Sequence, residues 1–277
     1  VGVIGATLVA LYLLRPLPRL VPLGVLESAA AGFTALFANV LITRWLGHNQ
    51  PVSAFAPAHE LTLNALPWLI LMLVQLYRMP LGGPLRVLRA GIAAVAGALA
   101  ALGLLAAVIF GNPLVATGAV VRGPLLLDTL LVAYGVPGLV LLAAAARLPG
   151  LGRLLRLGFL WAGAALTTLY AGLEIRRFWQ GDVLSGPGVT QPELYSYTVA
   201  MMLVGAALLY QAIARRAPGL RRVAMAVIAV TVAKVFLIDA AGLTGLTRVA
   251  SFLGLGLSLA GLAWLNRWAG GADAEKG

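Results

Sequence analysis

Apolar stretches about as long as a bilayer is thick recur along this chain, separated mostly by short joins carrying Pro, Gly and Arg. The stretch 87–110, for instance, holds a single charge, Arg89. A helix needs about 20 apolar residues to cross the hydrocarbon core. Inside lipid every backbone N–H and C=O must be satisfied within the structure, which leaves helices or a closed barrel. The runs are rich in Ala and Leu and lack the alternation of barrel strands, so helices are expected. Composition agrees: the 277 residues are 61% hydrophobic and 10% charged, against roughly 25% charged in a soluble domain.

The expected fold class is therefore all-α, a polytopic transmembrane helix bundle of about nine spans. They read as 1–14 (truncated), 23–44, 61–78, 87–110, 124–146, 155–176, 194–214, 222–240 and 247–267. Residues 1–268 form one expected domain, followed by a polar tail at 269–277. Because Val1 already lies inside an apolar run, the chain reads as the C-terminal part of a longer protein. No internal repeat stands out, which weighs against an inverted-repeat transporter.

Cysteine is absent, which excludes disulfides and thiolate metal sites. The net charge is +11, but the arginines sit in the joins and are not interleaved with aromatics. Membrane lipids, not nucleic acid, are the expected partners. Short joins rich in Arg face the cytoplasm. Arg15, Arg19, Arg78, Arg86, Arg89, Arg147, Arg153, Arg156, Arg215, Arg216, Arg221 and Arg222 fall in the first, third, fifth and seventh joins. The even joins hold only Arg44, Arg122, Arg176, Arg177 and Arg248. The odd joins and the C-terminus are thus expected in the cytoplasm.

With that orientation, acids and bases gather at the outer side. An ionised group within a span costs about 2.5–3.5 kcal/mol at the bilayer centre, so such groups pair, line a cavity or work. Glu174 and Arg177 close the sixth span three residues apart, on one helix face, and are expected to pair. Arg176 points elsewhere. Lys234 and Asp239 close the eighth span about 140° apart, at about 100° per residue, so each should seek a partner on another helix. Arg248 opens the ninth span within reach of Asp239. Lys234 either snorkels to the interface or meets Asp239, Asp128, Glu174 or an anionic headgroup. Asp128 near the start of the fifth span is placed to cap it, and Glu27 near the start of the second allows the same.

His48, His59 and Glu60 belong to the second join, without the spacing of a metal site, so no metal is expected. No nucleotide-binding glycine loop, Ser-His-Asp order or Asp-x-Asp pair occurs, and no cofactor is expected. Most tryptophans lie at span ends as an interfacial belt. Trp179, beside Arg177 and Asp182, is the candidate for a glycan or headgroup.

Four stretches carry a resemblance: Glu174-Ile-Arg-Arg-Phe178, Glu193-Leu-Tyr-Ser-Tyr197, Lys234-Val-Phe-Leu-Ile-Asp239 and Arg248-Val-Ala-Ser-Phe-Leu-Gly-Leu-Gly256. They resemble the bacterial multi-pass membrane proteins called domain of unknown function twenty-three thirty-nine, most firmly over 170–268. The resemblance implies a bacterial inner-membrane protein and implies no activity. That family favours Asn where this chain has Asp128.

Three functions fit these residues. In the first, a site at the outer leaflet binds or processes a lipid-linked or anionic cell-envelope molecule. There Arg177, Lys234 and Arg248, with Trp179 and His59, hold the ligand, while Asp239, Glu174 or Asp128 acts as base. The second is a transporter or lipid flippase. In the third, the same charges form inter-helix salt bridges in a structural scaffold.

Overall fold

The computed structural model describes Val9, Tyr12, residues 20–47, Ser53, 55–81, 85–116, 118–238, and Leu253, Gly256, Leu257, Ala260 and Gly261. Seven α-helices lie among them: α1 (Leu20–Trp45), α2 (Ala58–Arg78), α3 (Arg86–Ile109), α4 (Val136–Arg147), α5 (Arg153–Gln180), α6 (Gln191–Ala214) and α7 (Pro218–Leu237). No strand occurs among the described residues beyond an isolated antiparallel bridge between Val120 and Val183.

Five of these helices are long and apolar enough to cross a membrane: α1 from Gly24, α2, α3, α5 and α6. The shorter apolar helix Leu131–Arg147 includes α4. Nine spans are therefore not reached among the described residues. The segments expected at 1–14 and 247–267 fall largely outside them.

The fifth segment starts later than expected. Residues 124–128 stay in a loop although Leu125, Leu126 and Leu127 are apolar, because Gly123 (φ +109°) and Leu126 (φ +69°) hold left-handed turns that no helix accommodates. The helix then enters through a π turn at Leu131–Gly135. In contrast, α5 outruns its expected end at 176 and stops at Gly181 (φ +79°).

The chain divides into two compact units, residues 1–187 and 188–277. In the first, α2 packs along α3, α4 along α5, and α1 on α2. The α3 face toward the core is a stripe of Ala93, Ala96, Ala100 and Ala107, all buried. Between helices in lipid, small residues let backbones approach and gain dispersion contacts that lipid tails would otherwise supply. The α4–α5 crossing is tightest at Gly138 and Gly163, where a Cβ on Gly163 would stand 2.8 Å from the Gly138 carbonyl oxygen. Large apolar side chains such as Val87, Leu102, Leu154 and Trp161 point outward, as a lipid-facing surface requires.

Buried and half-buried polar groups tie this unit together. Tyr134, fully buried, donates to the Ala107 carbonyl at 2.9 Å. Thr62 of α2 donates to the Ala133 carbonyl within the π turn at 2.9 Å. Asn39 and Thr43 of α1 donate to the Asn64 backbone and side-chain oxygens, each at 2.9 Å. In the second unit α6 packs on α7.

Candidate functional site

Alternation of the helices puts Glu60, Asp128, Glu174 and Asp182 at one end of the first unit. Arg78, Arg86, Arg89, Arg147 and Arg153 lie at the other. The acidic end is organised by Arg177, in the last turn of α5. Its side chain is 7% exposed. Nη1 donates to Asp128 Oδ2 at 2.7 Å, Nη2 to the Gly123 carbonyl at 2.6 Å and to Asp182 Oδ1 at 2.8 Å, and Nε to Asp182 Oδ1 at 3.1 Å. The expected Glu174–Arg177 pair does not form. Asp128, at the head of the segment leading into α4, lies at 2.7 Å and takes the guanidinium instead.

Asp128 does cap its helix. Oδ1 accepts from the Leu130 and Leu131 N–H groups, both at 2.9 Å, where free N–H groups and the helix dipole favour an anion. With Oδ2 held by Arg177, both oxygens are engaged. Glu174 is buried, and its Oε2 accepts only a long bond, 3.4 Å, from the Leu126 N–H. Its Oε1 is buried with no hydrogen-bond donor, and the Asp128 carboxyl lies alongside. Tyr170 donates to the Leu126 carbonyl at 2.9 Å. Leu126 is thus held on both its amide and its carbonyl by α5, which sustains its left-handed backbone.

Arg176 does point elsewhere, to the Leu184 and Gly186 carbonyls at 2.8 and 2.6 Å. The Val121 N–H donates to the Asp182 carbonyl at 2.9 Å. The last turn of α5 therefore stitches two loops, 118–130 and 181–187, to one another.

Beside this stitched wall lies a cavity of about 280 Å³ lined by His59, Glu60, Gly111, Arg122 and Thr129 among others. His59 and Glu60 open α2 and are half-buried, while Arg122 is exposed at the rim. The Arg122 N–H donates to Thr129 Oγ1 at 3.2 Å, and the Thr129 N–H to the Arg122 carbonyl at 3.0 Å. Gly111 is required here, since a Cβ on it would stand 2.7 Å from the Ala58 nitrogen. Trp179 stacks edge-on against Phe178 at 5.2 Å.

The second unit holds its own cluster. Lys234 Nζ donates to the Leu194 carbonyl at 3.0 Å and to Thr198 Oγ1 at 2.6 Å. Glu193, fully buried, accepts from the Tyr197 hydroxyl at 3.0 Å. Lys234 is thus met by α6. Asp239, Arg248 and His48 lie outside the described residues. Among the described residues no group of three His, Cys, Asp or Glu side chains is placed to hold a metal.

Two of these roles were hidden in the sequence. Arg122 and Thr129 line the cavity, yet Arg122 counted only toward topology and Thr129 carried no signal. A short loop arginine on the otherwise arginine-poor side was the available cue.

A family model described as predicted membrane protein, DUF2339, matches residues 3–268. The chain belongs to the DUF2339 family. The match reaches well before residue 170, so the early spans belong to it as much as the late ones. No curated protein and no solved structure matches the chain. This DUF2339 protein is a membrane protein with several apolar helices.

Proposed function

We propose that this inner-membrane protein binds the anionic group of a lipid-linked or other cell-envelope molecule in the cavity at the acidic end, at the outer leaflet. The observation that carries the reading is the cavity itself. Arg122 stands on the wall whose backbone Arg177 clamps, and His59 of α2 lines the same cavity. Arg122 supplies a charge-assisted pair of donors for phosphate or carboxylate. Glu60 on the same lining accepts from a hydroxyl or ammonium of the same ligand. Asp128 and Arg177, with their polar atoms engaged, position the wall and do not touch the ligand. Glu174 does not line the cavity; it acts on the wall through its bond from the Leu126 N–H.

A scaffold role is the second reading, favoured by the saturation of Asp128 and Arg177. The two separate in one experiment. The purified chain in detergent is titrated with a polyprenyl phosphate and with the corresponding neutral polyprenol. Preference for the phosphate, weakened about tenfold in Arg122→Gln with an unchanged melting temperature, is the expected result. Equal binding of phosphate and alcohol, or no loss in Arg122→Gln combined with His59→Ala, would leave only the scaffold.

A further inference from the structure

The arginine end of the first unit holds a second buried guanidinium, and its surroundings are incomplete. Arg89, in the first turn of α3, is 7% exposed. Nη1 donates to the Arg78 carbonyl at 3.2 Å. Nε is buried with no acceptor. The nearby acid, Glu27 of α1, pairs with Arg78 at 2.9 Å, and Arg89 forms no ion pair among the described residues. Nη2 faces α1, standing 3.6 Å from where a Cβ on Gly24 would be. A buried cation without a carboxylate is costly, and in a membrane its natural complement is an acidic headgroup.

One helical turn from Gly24 along α1, at Ser28, an open apolar groove begins. Its volume is about 630 Å³, and it runs between α1 and α3 past Gly32, Leu36, Gly91 and Val95, with Trp68 of α2 as its floor. Arg89 does not itself line the groove; the lining begins one turn past its Gly24 contact, at Ser28 of α1, and at Leu88 and Gly91 on either side of Arg89 in α3. From there the cleft continues toward the middle of the bilayer, where an acyl chain would lie. Exposed Arg86 stands on the same end of α3. Two glycines, Gly32 and Gly91, leave the groove open, because a Cβ at either position meets nothing within 4 Å.

We propose that Arg89 and this groove form a binding site for an anionic phospholipid of the leaflet at the arginine end, its phosphate on Arg89 and one acyl chain along Gly32 and Gly91. The charge chooses the headgroup and the groove holds the chain. A guanidinium–phosphate contact supplies the anionic partner that Arg89 lacks among the described residues. This site is separate from the cavity at the acidic end, and neither depends on the other.

Native mass spectrometry of the full chain, released from detergent after incubation with phosphatidylglycerol or phosphatidylcholine, tests it. The expected result is retention of phosphatidylglycerol over phosphatidylcholine, reduced about tenfold in Arg89→Met. Gly91→Leu puts a side chain into the groove where a Cβ meets nothing within 4 Å, and is expected to lower retention as well, with the fold intact by circular dichroism. If Arg89→Met does not fold, Gly91→Leu decides. Equal retention of the two lipids overturns the proposal, as does undiminished phosphatidylglycerol in Gly91→Leu. A melting-temperature rise with inorganic phosphate equal to that with phosphatidylglycerol also overturns it, since the groove would then contribute nothing.

Discussion

Arg177 and Arg89 are equally buried, at opposite ends of one helical unit, and differ in what surrounds them. Arg177 meets two carboxylates and a carbonyl, with donors from all three of its nitrogens used. Arg89 meets one carbonyl and leaves Nε without an acceptor. A guanidinium whose needs are met by protein acts as a fastener. One whose needs are not met is a site for something the protein does not itself supply. Burial alone separates neither case from the other; the acceptors do.

The contrast can be broken at the fastened end. The largest effect is expected from Asp128→Ala, which removes the helix cap and leaves Arg177 buried beside only an exposed carboxylate. Breaking a buried pair by deleting one partner costs about 3–5 kcal/mol, read as a large drop in melting temperature in detergent. A loss below about 1 kcal/mol, the scale of a surface pair, would mean that Arg177 is no fastener. Glu174→Gln should act the other way and more weakly. The amide N–H can donate to the Asp128 carboxyl alongside it, so stability should rise by about 1 kcal/mol. A fall of that size would show that Glu174 is held by groups other than those described. The smallest effect belongs to Asp182→Asn. Its side chain is 61% exposed, so the loss should stay within about 1 kcal/mol and shrink in high salt.

Helix positions were legible because bilayer thickness imposes one length on every apolar run, and Pro and Gly mark the joins. The start of the fifth segment was not. Leu125, Leu126 and Leu127 look like membrane residues, yet turn geometry around Gly123 and hydrogen bonds from α5 hold them in a loop. The charges at the acidic end were legible as a group, since arginine counting makes that end unusual. Their pairing was not. Spacing on one helix favoured Glu174 for Arg177, while the chosen carboxylate is 49 residues away and reaches it only through the packing of α4 on α5. The burial of Arg89 was not legible for a related reason. In sequence Arg89 is one topology arginine among many, and only the packed face of α3 shows that it points inward.

The π turn at Leu131–Gly135 carries one residue more than a regular helix would use there. An α-helix turns about 100° per residue, so that extra residue sets the angle at which Asp128 leaves the head of the segment relative to the α4 face packed on α5. The turn is in effect a gauge block. Shorten it by one residue and a well-formed helix remains, but its cap swings away from Arg177, and loop, cavity wall and clamp lose their common anchor together.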